Sequence, residues 1–420
     1  MLKKLILENW KSFRYAELPL DPLTVLIGTN ASGKSNVVEA LEFLQRIANG
    51  ENIEAALAGN KTLPSLRGGV ELAARKGENE FSLNVLIQGE DDTVEYMYLI
   101  KVKTISEPKI IEEYIYEYTI LINEYGDGKK LISVSSAANQ DNYSVDTSFL
   151  NIVDTSIEII RKNIITLEND QEKKLMEEVY NTFLLPKQKK RICINSSLKR
   201  IFLLNPVASN MRDYSSLSNV LESDSSNIAG FLAALPDDKK TEIENTLSEY
   251  LKDLPEGDIK KVWAEKVGRL GTDAMLYCQE EWKPGEIIEI DARSMSDGTL
   301  RFLAILTALL TRPEGSQIVI EEIDNGLHPS RAALLVKILK EIGSKRNIDI
   351  LLTTHNPALL DAFGSEIVPF VVVAHRDSET GESKLTLLED IDNFPKLFAS
   401  YSLGQMTTKG AIERSLSHGE

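Results

Sequence analysis

The segment GTNASGKS at residues 28–35 constrains the fold more than any other feature, because it fits the phosphate-binding loop pattern of Gly, four residues, Gly, Lys and Ser or Thr. It follows the apolar run LTVLIG and precedes NVVEALEFLQRIA, where apolar residues recur at helical spacing. A strand, a glycine-rich loop and a helix in this order let backbone N–H groups curl around phosphates at a helix N-terminus. An ordinary glycine-rich turn would not need this context. The segment therefore predicts a nucleotide site in an α/β fold.

The predicted contacts of this loop fall on residues 28–36. Lys34 would reach the β- and γ-phosphates of ATP, and the Ser35 hydroxyl would ligate Mg²⁺. The residues expected to contact ATP are Gly28, Thr29, Asn30, Ala31, Ser32, Gly33, Lys34, Ser35 and Asn36.

Composition limits the class of protein. The chain has 420 residues, 42% of them hydrophobic, and a net charge of -17, which fit a globular body with one or two insertions. Because the chain is acidic, any DNA contact must be a local basic patch. Cys193 and Cys278 show no metal-ligand spacing and are interpreted as inert thiols of a reducing interior. No apolar run is long enough to span a bilayer, so we expect a cytoplasmic protein without membrane contact.

Acidic residues and a histidine follow two buried strands of the final third. Glu321 and Glu322 end QIVIEEI, and His355 ends IDILLTTH. Alone, such glutamates are more often solvated surface, and such a histidine is more often a capping or core residue. Ligands collect at the carboxyl ends of strands in open α/β sheets, so the phosphate loop favours a functional role. The carboxylate pair would hold the Mg²⁺ shell and orient the attacking water.

The segment SMSDGTLRF at residues 294–302 opens a strongly apolar helix. Ser296 and Asp297 predict an ordinary helix N-cap. A helix N-terminus with small residues such as Gly298 is also a site for an anion. Both interpretations stay open on the residues alone.

Four motifs in order carry a resemblance to a known family. GTNASGKS, SMSDGT, IVIEEIDNGLHP and LLTTHNP resemble the P-loop, signature, Walker B with D-loop, and switch histidine of ABC-type ATPases. The opening LILENWKSF and the long interval between the first two motifs are similar to the RecF/SMC/OLD-like branch. EEIDNGLHP, TTHNPALLD and FVVVAHRDSETGESKLTLLED resemble bacterial predicted ATPases of the AAA_15/AAA_21 type. The resemblance covers the ATPase head, about 1–90 and 280–400, and is weak between them.

The resemblance implies an α/β fold: a P-loop NTPase head of the ABC type with a mixed β-sheet, plus an antiparallel-sheet and helical insertion. We expect the N-terminal half of the head at 1–90, the insertion at 91–270 and the C-terminal half at 271–420. Helical patterns at about 157–183 and 227–268 predict a short arm within the insertion.

Roles follow from the resemblance residue by residue. Glu321 would be the Mg²⁺-side carboxylate, Glu322 the base that polarises water, and His355 a contact of the γ-phosphate. The family usually has Asp at the position of Glu321. Glu321 is longer than that Asp by one methylene. The Q-loop glutamine has no clear position, although Gln88 or a residue near Asn205 could serve.

The same resemblance implies contacts beyond one subunit. Ser296 and Gly298 would contact the γ-phosphate held by a partner subunit, so we expect a homodimer or a higher even-numbered oligomer. Lys11 and Ser12 lie where related heads touch nucleotide phosphates.

A basic cluster in the acidic chain is the candidate DNA contact. The alternative is that it forms an ordinary solvated face. Its residues are Lys187, Lys189, Lys190, Arg191, Lys199 and Arg200.

Two functions stay open. The first is an ATPase subunit that controls a separately encoded effector, such as a TOPRIM-type nuclease, in a bacterial defence system, because about 65 residues follow His355 and leave no room for an appended nuclease. The second is a RecF-like ATP-dependent DNA-binding protein in repair or recombination. A transporter ATPase is disfavoured, because no segment resembles a membrane-coupling element.

Overall fold

The structure is a computed structural model, and it describes residues 1–89, 91, 93–105, 107–123, 126–136 and 185–417. The predicted helix at 157–183 lies outside the described residues. No helix among those described is long and apolar enough to cross a bilayer. The cytoplasmic location stays a prediction.

Strands and helices are numbered here in chain order. The strands are β1 (Leu2–Trp10), β2 (Phe13–Pro19), β3 (Leu23–Ile27), β4 (Glu80–Gln88), β5 (Val94–Lys103), β6 (Lys109–Asn123), β7 (Gly126–Ser136), β8 (Ile201–Leu204), β9 (Ser215–Ser216), β10 (Ile259–Val267), β11 (Asp273–Lys283), β12 (Glu286–Asp291), β13 (Gln317–Ile320), β14 (Asp349–Thr353), β15 (Val371–Arg376) and β16 (Ser383–Leu387). The described helices are α1 (Lys34–Ala48), α2 (Ile53–Ala58), α3 (Leu185–Lys199), α4 (Ile228–Ala234), α5 (Asp237–Lys252), α6 (Asp297–Thr311), α7 (Ala332–Lys345), α8 (Pro357–Phe363), α9 (Phe394–Ser400), α10 (Leu403–Thr408) and α11 (Ala411–Ser417).

The chain forms two compact units. The first unit contains Met1–Leu20, Ser35–Ile201 and Glu379–Leu385, and the second contains Asp21–Lys34, Phe202–Ser378 and Thr386–Glu420. The predicted division of the chain at residues 90 and 270 stays a prediction.

The first unit contains antiparallel strands in the order β7-β6-β5-β4-β1-β2. Its alternating apolar and polar residues produce this pattern, since one face packs and the other meets solvent. At its end β2 also pairs in parallel with β16, at Phe13 and Ser383, so the predicted mixed sheet is confirmed. Trp10, Phe43 and Phe81 form a buried aromatic cluster with ring centroids 4.8–6.0 Å apart, which packs α1 onto this sheet.

The second unit contains the parallel strands β15, β3, β14 and β13 in that order, with β8 beside β13. Nearly every residue of β3, β13 and β14 is buried, as expected for strands covered on both faces. The register pairs Leu26 with Thr353, and Leu352 with Ile320. The carboxyl ends of these strands therefore meet at one edge of the sheet.

A second, antiparallel sheet consists of β10, β11 and β12, with β9 paired to β11. The prediction of helix up to residue 268 is wrong for Ile259–Val267, which forms β10. Pro255 ends the helical pattern, because proline disfavours helix at the residues before it. The lysines of β10 have a spacing that resembles the polar face of a helix. Val262 and Ala264, however, are buried at the two-residue spacing of a strand.

Candidate functional site

The loop after β3 can hold only glycine at its first position. Gly28 has φ +142°, and a Cβ atom placed there would lie 2.1 Å from the carbonyl oxygen of Ala374 in β15. A backbone in this region strains other residues, and the contact leaves no room for a side chain. Gly33, the second glycine of the motif, also has positive φ, at +112°.

Lys34 ends this loop and begins α1. Its ammonium donates to the carbonyl oxygens of Gly28 at 2.6 Å and Thr29 at 3.0 Å. Burial lowers the pKa of Lys34, while Glu322 and Glu321 oppose that shift through charge. Within the described part of the chain no carboxylate forms an ion pair with this ammonium. The lysine is therefore a half-buried cation turned onto its own loop, with only neutral oxygens as partners.

Two further polar groups shape the loop. The hydroxyl of Ser32 is buried and has no hydrogen-bond partner among the described residues. Arg376, at the end of β15, donates from Nε to the carbonyl oxygen of Ala31 at 2.8 Å. Sequence reasoning missed Arg376, although it follows an apolar strand as Glu321 and His355 do. It fixes Ala31, whose φ is +63°, in a conformation that alanine seldom adopts.

The acidic pair follows β13 at the same sheet edge. Glu322 has φ +49°, and its backbone N–H donates to the Thr353 hydroxyl at 2.8 Å. Two residues further on, Asp324 accepts a hydrogen bond from Thr354 at 2.5 Å. The end of β13 is thereby tied to the end of β14. Sequence reasoning missed Thr353, Thr354 and Asp324, which stand in the quoted TTH and EEID strings.

His355 follows Thr354 directly and is exposed. Its place after β14, between the ends of β13 and β3, puts it at the edge that also carries Glu322 and Gly28. The structure therefore brings residues 28–34 of the predicted loop, the acidic pair and the histidine to one edge of the sheet. Their chemical roles stay predictions.

The signature segment lies at a different cavity. Ser296 caps α6 by accepting from the Thr299 N–H at 3.1 Å. Gly298 is buried, and a Cβ atom there would lie 2.9 Å from the carbonyl oxygen of Gly326, after Walker B. Both line a cavity of about 680 Å³ with Arg331, and no loop residue from 28–36 is among its described lining residues.

Arg212 stabilises the turn that precedes α6. The sequence gave no indication of this role. Its Nη1 donates to the carbonyl oxygens of Met295 at 2.6 Å and Ala292 at 3.1 Å. Its Nη2 forms an ion pair with Asp297, the first residue of α6. One guanidinium therefore spans the turn that presents Ser296.

Lys11 and Ser12 belong to the first unit, as Ser35 and Asn36 do. Lys11 forms a buried ion pair with Glu39 and donates to the carbonyl oxygen of Arg67 at 2.8 Å. Ser12 accepts a hydrogen bond from the Asn36 side chain at 2.7 Å. The proposed phosphate contacts of these residues stay predictions.

The basic cluster is only partly available. Lys190 is buried and forms an ion pair with Glu117, whereas Lys189, Lys199 and Arg200 are exposed. The side chain of Lys187 lies outside the described residues. The cluster therefore exposes fewer charges than the sequence suggested.

The donor set of the loop fits a phosphate anion. The Lys34 ammonium lacks a charged partner among the described residues, and the buried Ser32 hydroxyl lacks any. Magnesium is commonly held by one or two carboxylates together with substrate phosphates and water, so Glu321 can contribute without a preformed cluster. Among the described residues, no group of three or more His, Cys, Asp or Glu side chains could hold a metal ion.

The parallel sheet, the glycine loop and the acidic edge define an α/β domain of the P-loop NTPase class. A family model described as "AAA domain, putative AbiEii toxin, Type IV TA system" matches residues 23–361. The chain belongs to this family, AAA_21, and the resemblance stated from its motifs is confirmed. No curated protein matches the chain.

Solved SMC head domains are similar to the chain at low identity. The SMC head bound to the C-winged helix domain of ScpA is 13% identical, with 92% of this chain and 96% of that chain covered and a TM-score of 0.49. The SMC head from Thermotoga maritima is 14% identical, with 92% and 98% covered and a TM-score of 0.43. The Pyrococcus furiosus SMC head, with an extended coiled coil and bound to the C-terminal domain of ScpA, is 14% identical, with 95% and 99% covered and a TM-score of 0.45. At these TM-scores the likenesses carry no weight for function.

Proposed function

We propose that the chain hydrolyses ATP at the sheet edge formed by the loop after β3 and the ends of β13 and β14, and that a second copy completes the site. The observation that supports this most is the hydrogen bond from Glu322 N–H to Thr353, at 2.8 Å, which fixes a carboxylate beside the edge where Lys34 lies. A positioned carboxylate near a phosphate site is what water attack requires.

Each residue has a distinct task in this proposal. Lys34 exchanges its contacts with the Gly28 and Thr29 carbonyls for the β- and γ-phosphates of ATP. Glu322 accepts a proton from water as the water oxygen bonds to the γ-phosphorus, and the bond to the β-phosphate oxygen breaks. His355 contacts the γ-phosphate and holds it in line for that attack.

The metal site rests on the motif and on the acidic edge. Mg²⁺, when bound, neutralises charge on the β- and γ-phosphate oxygens. Glu321 is proposed as its carboxylate ligand. Ser35, the residue after Lys34 in the chain, is proposed as its hydroxyl ligand from the loop pattern alone.

The positions of Ser296 and Gly298 are the reason for proposing that a second copy completes the site. They line a cavity whose described lining residues include none of the loop, so an intramolecular contact with the nucleotide has no support. In a two-fold dimer, the α6 N-terminus of each copy would face the nucleotide of the other, which gives two equivalent sites. ATP would then join the copies and hydrolysis would release them, as in a switch.

Hydrolysis and assembly can be measured on the same samples. Wild type should hydrolyse ATP with Mg²⁺, Lys34→Ala should not bind it, and Glu322→Gln should bind it and form a stable dimer by size-exclusion chromatography with light scattering. Glu389→Gln, a matched change at an exposed glutamate, should behave as wild type. Wild-type turnover in Glu322→Gln would refute the assigned base.

We further propose that this switch controls a separately encoded effector, with a TOPRIM-type nuclease as the working example. The family description, which names a putative toxin of a toxin–antitoxin system, supports a role in bacterial defence. The purified chain should leave DNA intact with ATP and Mg²⁺, and Glu322→Gln with ATP should retain the product of a neighbouring gene. Cleavage of DNA by the chain alone would contradict this division of tasks.

A RecF-like DNA clamp is the alternative, and the exposed Lys189 and Lys199 of α3 favour it. Phosphate contacts by such residues would make binding strongly salt-dependent. ATP-dependent DNA binding that is lost in Lys189→Glu with Lys199→Glu would support the clamp. Indifference of wild type to DNA would exclude it.

A further inference from the structure

A second cavity lies in the second unit at the C-terminal ends of α6 and α7, and we name it the distal cavity. It has a volume of about 640 Å³ and is lined by Lys239, Arg312, Lys345 and Arg346 together with the apolar side chains of Phe231 and Ile243. This volume is in the range of small-molecule sites, which commonly combine apolar walls with a few polar groups.

Arg312 is the unusual member of this lining. Its guanidinium lies 4.4 Å from the centre of the Phe202 ring, which gives a cation–π contact. The Nε atom is buried and has no acceptor among the described residues. Burial lowers the pKa of Arg312, and no carboxylate among the described residues opposes that shift. A partly buried cation without a paired anion is unfavourable, and an anion that reaches the guanidinium from the cavity would stabilise it.

The charges of the distal cavity favour an anion. Its four basic side chains face two acidic ones, Glu242 and Glu314, in a chain whose net charge is -17. Lys239 and Lys345 are exposed, so they can turn toward a ligand at the mouth. An excess of positive charge at one place in an acidic protein attracts anions locally.

A simpler explanation covers only part of this cluster. Basic residues near the ends of helices stabilise unpaired carbonyl groups and the helix dipole. Arg346 does so, because its Nη1 donates to the carbonyl oxygen of Leu309 at 2.7 Å in the last turn of α6. Arg312 is the C-cap residue of α6, so its charge favours the helix dipole, but its buried Nε donates to no carbonyl oxygen among the described residues, and hydrogen bonding to the helix end does not account for that atom.

We propose that the distal cavity binds a small organic anion, in which a phosphate, carboxylate or sulfonate group pairs with Arg312 and an apolar or aromatic body packs against Phe231 and Ile243. The planar guanidinium suits two-pronged recognition of such groups. The cavity is at the other end of α6 from Ser296, about 20 Å away by helix rise, and is independent of the proposed ATP site.

The test uses 8-anilinonaphthalene-1-sulfonate, which carries a sulfonate on an aromatic body, with the full-length chain. We expect saturable fluorescence with one probe per chain, and a dissociation constant at least about tenfold weaker in Arg312→Gln, as expected for loss of a charge-assisted bond. The exposed charge control Arg269→Gln should bind like wild type. Equal affinity in Arg312→Gln, or binding without saturation, would overturn the proposal.

A double variant keeps the test decisive if Arg312→Gln does not fold. Lys239→Glu with Lys345→Glu reverses two exposed charges at the mouth and should weaken the probe severalfold, since each charge lies near the anion. Circular dichroism melting establishes whether Arg312→Gln and the double variant are each folded. Unchanged affinity in the folded double variant would then contradict the proposal.

Discussion

The hydroxyl of Thr353 accepts a hydrogen bond from the backbone N–H of Glu322 at 2.8 Å. Thr353 is the last residue of β14, and Glu322 follows β13 in a backbone conformation with φ +49°. A non-glycine residue with positive φ is held by its surroundings rather than by its own preference. Thr353 therefore sets where the Glu322 carboxylate stands, although it has no acid–base role of its own.

Thr353→Val should impair hydrolysis more than nucleotide binding. Valine has a similar shape but leaves the Glu322 N–H without its acceptor, which costs about 1–3 kcal/mol for a fully buried group and less at the exposed Glu322. We expect a lower kcat and a lower melting temperature, measured by steady-state ATPase assay and calorimetry. Thr353→Ser keeps the hydroxyl and should recover most of the activity. Equal kcat in the valine and serine variants would show that the bond does not position Glu322.

Gly28→Ala should abolish nucleotide binding through backbone displacement. The added Cβ would lie 2.1 Å from the carbonyl oxygen of Ala374, so β3 or β15 would have to move. Gly50→Ala is the matched control, because Gly50 also has positive φ, at +100°, but no atom within 4 Å of the added Cβ. Binding of a fluorescent ATP analogue should be lost only in Gly28→Ala. Retained affinity there would mean that the loop adapts without harm.

Arg212→Gln should lower hydrolysis and leave ATP binding by the isolated subunit unchanged. The substitution frees the carbonyl oxygens of Met295 and Ala292 and lets the turn that presents Ser296 move. Asp297→Asn removes only the partly exposed ion pair and should have a small effect, since such pairs contribute little. The two variants are compared by kcat and by ATP-dependent dimer formation. An Arg212→Gln protein that dimerises like wild type would contradict this role.

ATP affinity should fall as the pH is raised toward 10.5. Burial lowers the pKa of Lys34 below that ordinary value, so the free protein loses this proton while a bound phosphate favours the charged form. The unfolded chain then binds more protons than the folded one, so the contribution of Lys34 to the free energy of unfolding rises with pH in the same window. Lys34→Met should not bind ATP at any of these pH values, and its free energy of unfolding should lack this rise with pH. Titration calorimetry and melting at several pH values measure both.

Local patterns allowed part of this molecule to be predicted. The loop at 28–35, the buried strands and the acidic pair are continuous in sequence, so the strand, loop and helix pattern identifies them. Arg376 and Thr353 were missed because their importance comes from partners such as Ala31 and Glu322 that are distant in the chain. No sequence period records such a contact.

The same reason explains two other differences. Lys190 looked like part of an open basic cluster, but its partner Glu117 lies on a distant strand. The segment that forms β10 was predicted as helix because charged residues dominate its sequence pattern. Its strand conformation depends on packing against β11 and α5, which the local sequence does not reveal. Tertiary packing commonly overrides weak local preference in this way.

Mixing two inactive variants tests the shared site most directly. Lys34→Ala cannot hold ATP, and Ser296→Arg cannot complete the site of a partner, so each alone should be inactive. In an equal mixture, mixed dimers contain one intact site, and about a quarter of wild-type ATPase activity should return if copies exchange freely. A mixture of Lys34→Ala with the double variant Lys34→Ala, Ser296→Arg should stay inactive. Full activity of Ser296→Arg alone, or no recovery when mixed dimers are shown to form, would contradict a nucleotide site shared between two copies.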